Sequence, residues 1–448
     1  MLLRIADVFS GKYDEMEVSL RGWIYRTRST ATAVFAVLRD SSGIIQIPVF
    51  KADVAEEVFL KAKDTLIESS VIVTGRVVKD SRAPGGYEVH VKQWEVVGAA
   101  ERYPITKDQS EEWLRENRHL WLRSRKMAAI LKVRSTVTGA IHEFFRARGY
   151  YEFTPPIFTP NACEGGATLF EVKYYDSKVY MTQSWQLYAE AMIFSLEKIY
   201  DVSPTFRAEK SKTSRHLCEF WMAEMEEAWI GYREAIQIAF DELKYIIRSV
   251  LEKNRAELEF MKADIPKLES MLKKEWPVIT YTEVVERLSK HAPYLERVAS
   301  EKTASPIRWG EDLRTIEEEE IMKFYDTPVA VINYPKEIMA FYKPVDIEAS
   351  KHTPGPVCKN FDILAPDGYG EIVGGSERDT DIESLKKALE KEGEKIENYE
   401  WYLDLRRYGS VPHSVYGIGV ERVISWICRL DNIKDAIAFP RTSTRWTP

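Results

Sequence analysis

Side chains that could bind a charged ligand are concentrated in one stretch, Thr205–Trp229, which reads TFRAEKSKTSRHLCEFWMAEMEEAW. Two arginines, one histidine and several carboxylates lie in this stretch, with a polar loop, KSKTSRH, between two strand-like segments. Arginine is well suited to binding anionic groups such as phosphates. An isolated Arg-Ala-Glu sequence would be better explained as a surface ion pair, so the stretch needs support from the rest of the chain.

A second stretch, MTQSWQLYAEAM at Met181–Met192, reads as a strand that runs into a helix. Threonine, serine and two glutamines lie at the junction, and no lysine or arginine is present. Neutral hydrogen-bonding groups at such a junction could bind a small polar ligand. A third stretch, GIGVERV at Gly417–Val423, has glycines that let the backbone approach a ligand, followed by Arg422 at the start of a helix.

The elements that must position these groups differ between the two ends of the chain. Residues 17–98 contain five strand-like runs with turn sequences between them, and one helical run, VAEEVFLKAKDTL, between the third and the fourth. This order is typical of an OB-fold barrel, although another small barrel is an alternative. Residues 103–125 are polar and charged, and we predict a hinge there.

From residue 126 onward the pattern changes to a long amphipathic helix that stops at Gly149 and leads to a strand reaching Pro155. Further helices are predicted over residues 232–274 and in the charge-rich stretch that follows. The acidic run Glu317–Glu320 is interpreted as a solvated helix face. Strands return in VAVINYP, FDILAP and YGEIVGG.

Composition excludes several classes of protein. With 448 residues, 45% hydrophobic and 30% charged, the chain is expected to be globular with two or more domains. It has no apolar run of membrane-spanning length, and its acidic start argues against a signal peptide, so no membrane partner is expected. The four cysteines lie far apart without a CxxC pair, which makes zinc improbable and favours a cytoplasmic location. A net charge of −7 argues against broad non-specific binding of nucleic acid.

Taken together and in order, these features resemble the three signature motifs of class II aminoacyl-tRNA synthetases. The long helix with its strand matches the first motif, FRAE…RH…EF the second and GIGVER the third. The OB-like front end resembles the anticodon-binding domain of subclass IIb, which comprises the aspartyl, asparaginyl and lysyl enzymes. Within that subclass, EGGATLF, YPKEIMAFY, YGEIVGGSER and RRYGSVPHS resemble the archaeal and eukaryotic asparaginyl group.

The resemblance implies an α+β fold with three parts. An OB-fold anticodon-binding domain covers residues 1–102 and a hinge covers 103–125. A class II catalytic domain, built on an antiparallel β-sheet flanked by helices, covers 126–448, with a helical insertion around 255–325.

The resemblance also assigns residues to the activation of an amino acid by ATP. Attack of a carboxylate on the α-phosphate needs in-line positioning and charge neutralisation more than proton transfer. Arg207 would hold the α-phosphate and the carboxylate, Arg422 would stack on adenine and reach the γ-phosphate, and Glu371 would bind Mg²⁺. The other implied ATP-binding residues are Glu209 and Phe220 at adenine, and Arg215 and His216 at the β- and γ-phosphates. A surface histidine and a core phenylalanine are the alternatives for His216 and Phe220.

The strand-to-helix junction bears on which amino acid is bound. In aspartyl enzymes it reads Ser-Pro-Gln-Leu-Tyr-Lys, and the lysine pairs with the substrate carboxylate. Here Ala189 stands at the lysine position and Glu224 stands where aspartyl enzymes have an aspartate. A bound carboxylate would lose a cation and meet an anion, whereas a carboxamide can donate to Glu224 and accept from Arg378.

We therefore expect L-asparagine as the substrate. Ser184 would lie in the pocket, Glu164 and Gln186 would bind the α-amino group, and Glu164 would lie on a loop that closes over the amino acid. The alternative is that Ala189 is only a helix-interior residue and selectivity lies elsewhere.

At the front end, Phe35 and Gln46 fall on neighbouring predicted strands. An exposed aromatic side chain can stack on an unpaired base and a glutamine can bind a base edge, as subclass IIb enzymes do at the central uridine of the anticodon. Arg26 and Arg28 are expected to contact phosphate. A place in the barrel core is the alternative for Phe35.

These expectations combine into a homodimeric synthetase that uses ATP and Mg²⁺ to join asparagine to the 3′ end of tRNA(Asn). The first-motif helix would form the dimer interface. Three rivals are an aspartyl enzyme, which could be non-discriminating, a synthetase-related asparagine synthetase, and an OB-type nucleic-acid-binding protein with a degenerate catalytic half.

Overall fold

The computed structural model describes residues 1–161, 168–210, 213–301 and 305–448. The chain divides into two compact units, Met1–Ser110 and Glu111–Pro448, which are described separately below. The division falls inside the predicted hinge, 103–125. None of the described helices has both the length and the apolar composition that crossing a membrane requires.

The first unit is a barrel. Its elements are β1 (Leu2–Leu3), α1 (Ile5–Val8), β2 (Glu17–Ser29), β3 (Ala33–Arg39), β4 (Ile44–Phe50), α2 (Glu56–Asp64), β5 (Ser70–Lys79) and β6 (Tyr87–Gly98). Strands pair in the order β1-β2-β3-β4-β6-β5, and β2 also pairs with β5, which closes a barrel of β2 to β6.

Alternation of side chains explains the barrel. Along β3, Val34, Ala36 and Leu38 are buried, while the residues between them are partly exposed. Successive side chains on a strand point to opposite faces, so this period of two fills the interior with aliphatic groups. Five strands with a helix between the third and fourth confirm the OB-fold prediction.

The second unit contains all remaining elements. Its helices are α3 (Glu111–Glu116), α4 (Arg118–Trp121), α5 (Arg125–Ala147), α6 (Gln186–Leu196), α7 (Tyr232–Lys253), α8 (Arg255–Met261), α9 (Ile265–Met271), α10 (Tyr281–Leu288), α11 (Ala292–Ser300), α12 (Thr315–Met322), α13 (Ile347–Ser350), α14 (Ile382–Lys391), α15 (Glu400–Arg407) and α16 (Val420–Cys428). Its strands are β7 (Tyr151–Glu152), β8 (Phe158–Thr159), β9 (Glu171–Tyr174), β10 (Ser177–Met181), β11 (Lys198–Phe206), β12 (Glu219–Ala228), β13 (Val278–Thr280), β14 (Val329–Ile332), β15 (Asn360–Ala365), β16 (Gly370–Glu377) and β17 (His413–Gly419).

The main sheet of this unit runs β13-β14-β15-β16-β17-β12-β11-β7, and β8, β10 and β9 form a small separate sheet. All neighbours in the main sheet are antiparallel except the two outermost pairs, β13 with β14 and β7 with β11. Helix α5 packs against α7 and α16, and α7 packs against β16 and β17. A mainly antiparallel sheet flanked by helices confirms the predicted α+β catalytic fold.

The start of the unit is tied to its end by a buried arginine. Arg118 on α4 is fully buried and donates to the backbone carbonyls of Lys434, Ile437 and Ala438, as well as to Asp435 at 3.2 Å. Helices α3 and α4 therefore belong to the second unit although they lie within the predicted hinge. Residues 255–301 and 305–325 contain α8 to α12 and β13, and α10 to α12 share an apolar cluster around Tyr281 and Tyr294 with residues of β14 and β15. That this region is an insertion stays a prediction.

The interpretation of Glu317–Glu320 as a solvated helix face is wrong. Glu317 and Glu320 are fully buried, because Arg314 pairs with Glu317 and Arg297 donates to Glu320 at 2.8 Å. Buried carboxylates need such partners to offset their lost hydration. The partner arginines, Arg297 and Arg314, lie outside α12. The sequence of the four glutamates alone therefore gives no sign that two of them are buried.

Candidate active site

A cavity of about 360 Å³ lies over the middle of the main sheet, lined by residues of β12, β16 and β17 and of the segments that flank them. Its volume is within the range of small-molecule sites. The cavity brings together the following predicted residues: Ser184, Gln186, Arg207, Glu209, Arg215, His216, Phe220, Glu224, Glu371, Arg378 and Arg422. Glu164 lies outside the described residues.

The cavity carries an arginine, Arg207, to which the described part of the chain offers no carboxylate at ion-pair distance. Strands β11 and β12 pair so that Thr205 lies opposite Phe220, and Arg207 follows directly after β11. The Arg207 guanidinium lies 5.4 Å from the centre of the Phe220 ring. Its Nε is buried, and no hydrogen-bond acceptor from the described part of the chain reaches it. A buried, unsatisfied cationic donor is suited to receiving an anionic ligand.

Arg422, on the first turn of α16, faces Glu371 on β16. It donates to the Glu371 carboxylate at 3.0 Å and to the Glu371 carbonyl at 2.7 Å. Burial alone would raise the pKa of Glu371, but the Arg422 guanidinium outweighs it and holds that pKa below its ordinary value. The pair therefore places an ionised carboxylate beside a fixed cation in the cavity wall.

The polar loop after β11 places Arg215 and His216 beside a neighbouring cavity that shares residues with the first. Arg215 donates to Glu319 at 2.7 Å and to the carbonyl of Gly368. Burial lowers the pKa of His216, although Glu209, whose carboxylate lies 3.7 Å away, opposes this effect. His216 is half-buried in the wall of both cavities.

The other end of the cavity is built by the junction that precedes α6. Ser184 donates from Oγ to the Glu224 carboxylate at 2.5 Å, and the Trp185 amide donates to the same carboxylate at 3.3 Å. Glu224 lies opposite Gly417 on β17, where a Cβ would stand 3.2 Å from the Glu224 Cγ. A glycine at 417 therefore leaves room for the glutamate side chain.

Comparison with known proteins follows the same two-part layout. The family model for tRNA synthetases class II (D, K and N) matches residues 110–443, and the model for the OB-fold nucleic acid binding domain matches residues 18–97. The chain belongs to the class II tRNA synthetases. It is 44% identical to an asparagine–tRNA ligase of Thermoplasma acidophilum over the whole of both chains.

Two solved structures are similar to this synthetase along its whole length. One is the asparaginyl-tRNA synthetase of Pyrococcus horikoshii complexed with asparaginyl-adenylate, with a TM-score of 0.92, 42% identity, and coverage of 100% of this chain and 99% of that one. The other is the asparaginyl-tRNA synthetase of Entamoeba histolytica in complex with asparaginyl-adenylate, with a TM-score of 0.85, 28% identity and coverage of 100% of both chains.

Beneath the Glu224 end of its cavity, the synthetase has a buried charge network that the sequence reasoning missed. Arg378 is fully buried, donates to Gln186 Oε1 at 3.1 Å and stacks 4.3 Å from the Tyr342 ring centre. Its Nε lies 3.5 Å from Glu190 and 3.8 Å from Glu226. The positive charge of Arg378 in the cavity wall is therefore balanced by the buried carboxylates of Glu190 and Glu226.

Glu190, on α6, is the centre of this network. Tyr402, Arg406 and His413 all donate to its carboxylate or lie within ion-pair distance of it. Burial acts to raise the pKa of Glu190, but Arg406 and His413 outweigh it and lower that pKa to about 2. Glu190 is thus an ionised anchor that fixes the cations around it.

Glu190, Glu226 and His413 bring three ligand atoms within 4.8 Å of one another, the only such group found in the described residues. By donor type they could hold a metal ion. Arg406 already donates to Glu190, and the Arg378 guanidinium lies beside both carboxylates, so the group does not fit a cation.

Besides Glu209, Glu224 and Glu421, four carboxylates line the cavity: Asp312, Glu318, Asp362 and Glu371. Of these four, the sequence reasoning identified only Glu371. Burial, together with the Glu371 charge, raises the pKa of Asp362 to about 8 and that of Glu318 to about 7. Oxygens of Glu371 and Asp362 both lie within 3.5 Å of where a Cβ on Gly374 would stand. Crowded carboxylates with raised pKa values fit an oxygen-ligated divalent cation such as Mg²⁺.

Ala189 does not line the cavity of this synthetase. It is fully buried on α6 in an apolar cluster with Trp185, Ile193 and Ile199. Position 189 therefore contributes no side chain to the described cavity wall, and Ala189 is a helix-interior residue.

In the first unit, the proposed anticodon residues lie on the barrel surface. Phe35 is half-buried and outside the barrel core, and the Arg28 guanidinium lies 5.6 Å from its ring centre. Gln46 shares its face of the sheet, because β3 and β4 pair in antiparallel register and place Gln46 opposite Val37, two residues from Phe35. Gln46 donates to Glu88 at 2.9 Å. Arg26 is exposed, with its guanidinium 5.3 Å from the Tyr25 ring centre.

Several residues of the buried charge network were not predicted, although they lie in sequence stretches noted for their family resemblance. Tyr342, Arg406 and His413 lie within the stretches YPKEIMAFY, RRYGS and PHS that carried the likeness to the asparaginyl group. Glu190 and Glu226 lie in the stretches Met181–Met192 and Thr205–Trp229, but nothing there marked them as buried, since charged residues in a helix or strand are normally exposed.

Proposed function

We propose that this synthetase is an asparagine–tRNA ligase that activates L-asparagine with ATP and transfers it to the 3′ end of tRNA(Asn). The single observation that carries the proposal is the cavity that joins a Glu224 and Arg378 end to an Arg207 and Arg422 end. The first end matches a carboxamide side chain, and the second matches a nucleotide.

Activation requires little from the protein beyond positioning. A carboxylate oxygen of asparagine attacks the α-phosphorus, and the bond to the bridging oxygen breaks as pyrophosphate leaves with the electron pair. Arg207 holds the α-phosphate, while Arg215 and His216 hold the outer phosphates. Phe220 and Arg422 hold the adenine between them, and Glu209 accepts from its amino group. ATP is a substrate in this scheme, and no side chain forms a covalent intermediate.

In the transfer step, the tRNA reacts with the asparaginyl-adenylate at the carbonyl carbon that is linked through oxygen to the α-phosphorus. The terminal 3′-hydroxyl of tRNA attacks the carbonyl carbon, AMP leaves with the electron pair, and the hydroxyl proton passes to the leaving AMP phosphate or to water. Arg207 and Arg422 keep AMP in place during this step.

The magnesium site proposed is Glu371 with Asp362 and Glu318. Mg²⁺ bound there supplies positive charge to the phosphate oxygens. The carboxylates do not converge as tightly as a closed metal cage, which agrees with the habit of Mg²⁺ to bind one or two carboxylates plus phosphates and water.

Selectivity for asparagine follows from how the pocket is charged. Glu224 accepts from the carboxamide nitrogen, and Arg378, held by Glu190, donates to the carboxamide oxygen. Gln186 binds the α-amino group, and Glu164 is proposed for the same role. Aspartate would set its carboxylate against Glu224, which costs several kcal/mol in a buried site.

Binding of tRNA involves the first unit. Phe35 stacks on an anticodon base, Gln46 contacts a base edge, and Arg26 and Arg28 contact phosphate. The exposed arginines beside an outward-facing aromatic ring support this role.

A homodimer is proposed because the stretch of chain that follows α5 exposes apolar side chains. Tyr151 on the edge strand β7 is 59% exposed, and Ile157 and Phe158 are also exposed. Exposed apolar groups in one region are typical of a protein interface. A cytoplasmic location is proposed because Cys218, Cys358 and Cys428 are free thiols. Sedimentation equilibrium should give the mass of two chains.

The deciding experiment is amino-acid-dependent exchange between ATP and pyrophosphate without tRNA, over a range of asparagine and aspartate concentrations. Exchange with asparagine alone is expected. Preference for aspartate would favour the aspartyl rival, and silence with both, even after tRNA is added, would favour the OB-type binding protein. Exchange with aspartate but no charging of any tRNA would favour a synthetase-related asparagine synthetase, because forming the carboxamide requires activation of the aspartate carboxylate.

A further inference from the structure

The cavity contains a lysine to which no role has yet been assigned. Lys343 lies in the wall of the main cavity and is half-buried. Its ammonium donates to the thioether sulfur of Met339 at 3.4 Å, which is a weak acceptor. No carboxylate in the described ranges lies within ion-pair distance of it. Among the described residues its hydrogen-bond acceptor is a thioether, and the carboxylates of Asp312, Asp362 and Glu371 act on it only through space, so the ammonium group is available for an anionic ligand.

Most other cavity cations are already paired. Arg422 is paired with Glu371, Arg215 with Glu319, and Arg378 lies between Glu190 and Glu226. Within the described wall, Arg207 and Lys343 are the lysine and arginine side chains that have no carboxylate at ion-pair distance. Both line the main cavity and neither lines the adjoining cavity that Arg215 and His216 share.

The position of Lys343 is fixed by its backbone. Its carbonyl accepts from the Lys336 ammonium at 2.6 Å and from the Cys358 thiol at 3.7 Å, and its amide donates to Ala340 at 3.2 Å. An anchored backbone reduces the freedom that the side chain must lose on binding a ligand.

Lys343 has neighbours at both ends of the cavity. It directly follows Tyr342, whose ring stacks on Arg378 at the amino-acid end. Its positive charge also opposes the rise in the pKa of Asp362 and helps to lower the pKa of Glu371, two carboxylates at the end proposed to hold the phosphates. The group that joins amino acid to nucleotide in the proposed reaction is the α-phosphate.

We propose that Lys343 is a further catalytic residue whose ammonium group contacts a non-bridging oxygen of the α-phosphate, on the side opposite Arg207. As the asparagine carboxylate bonds to phosphorus and pyrophosphate leaves with the electron pair, the ammonium offsets charge on that phosphate without giving up a proton. The inference rests on the proposed function, because it takes a nucleotide as the ligand.

The test compares AMP with adenosine, which differ only by the α-phosphate. Calorimetric titrations would be made in EDTA, so that no divalent cation contributes, with the wild-type protein, K343M, K343R and K351M. K343M keeps the side-chain volume but removes the charge, K343R keeps the charge, and Lys351 is an exposed lysine outside the cavity. We expect K343M to weaken AMP binding about tenfold or more while adenosine binding changes less than about twofold.

K343R should recover much of the AMP affinity, and K351M should match the wild type. In pyrophosphate exchange, K343M should lower kcat by a larger factor than it raises the KM for asparagine. Equal weakening of AMP and adenosine by K343M, or no weakening of either, would overturn the proposal. A loss for ATP but not for AMP would move the contact to the outer phosphates and would also overturn it. A wild-type protein that binds AMP no more tightly than adenosine would do the same. Failure of the wild type in asparagine-dependent exchange would instead count against the proposed function.

Discussion

In our proposal, the side chain of Glu224 selects between two substrates of nearly equal size. Its carboxylate is buried and already accepts from Ser184 and Trp185, which fixes its position against the cavity. A fixed acceptor favours an NH₂ group and repels a carboxylate. In our proposal the choice between asparagine and aspartate therefore depends on charge at this one position more than on shape.

Replacing Glu224 by glutamine should weaken that choice. E224Q removes the negative charge, so the ratio of kcat/KM for asparagine to that for aspartate should fall by roughly tenfold or more in pyrophosphate exchange. Activity with asparagine should fall as well, because the glutamine amide can turn a donor toward the substrate NH₂.

E219Q is the matched control, since Glu219 lies on the same strand outside the cavity wall. An unchanged ratio in E224Q would mean that selectivity lies elsewhere in the pocket.

Among the secondary-structure elements, α7 and β17 are joined by a buried acid. Glu242 on α7 is fully buried and accepts from the Tyr416 hydroxyl on β17 at 2.6 Å. Burial raises the pKa of Glu242 to about 8. In the unfolded chain a glutamate has a pKa near ~4.3, so between these values the folded protein holds a proton that the unfolded chain releases.

The free energy of unfolding should therefore fall as pH rises from about 5 to 8, by up to roughly 1.4 kcal/mol per pH unit from this group. E242Q cannot ionise, so its stability relative to the wild type should increase between pH 5.5 and 7.5 in urea unfolding. E252Q changes an exposed glutamate of the same helix and should follow the wild type. Parallel curves for E242Q and the wild type would contradict the assignment.

Elements were easier to predict than their charged contacts. The barrel strands were predictable because alternation along each strand is local, and α5 because its apolar period and glycine stop are local. Burial of Glu320 and the packing of Glu190 were not, because their partners Arg297 and Arg406 are distant in sequence. Residues of the site were found through motifs, and Lys343, Asp362 and Glu318 were missed because they stand outside the motifs.

On the scale of the whole molecule, two units with separate cores allow separate tasks. The barrel has its own apolar cluster, and the cavity is lined only by residues of the second unit. Damage to the outer face of the barrel should then affect the tRNA-dependent step alone.

F35A should test this separation. Loss of a stacked base costs about 1–3 kcal/mol, so kcat/KM for tRNA in aminoacylation should fall by roughly tenfold, while pyrophosphate exchange without tRNA stays at the wild-type rate. W23A removes another exposed aromatic ring of the barrel, opposite Arg39 on β3, and should leave both assays unchanged. A fall in exchange with F35A, or none in aminoacylation, would contradict the assignment.

The order of the main sheet has a consequence for synthesis of the chain on the ribosome. Strand β17 lies between β16 and β12, yet it is the last strand to be made. Until His413–Gly419 has emerged, a nascent chain holds β12 and β16 without the strand that joins them, and each leaves an unpaired edge that could pair with another chain. Arg422 lies three residues beyond β17, on the first turn of α16, so a nascent chain that ends before β17 also lacks this arginine of the cavity wall. Early release, by a stop codon or a stalled ribosome, should therefore yield aggregation-prone fragments without partial activity.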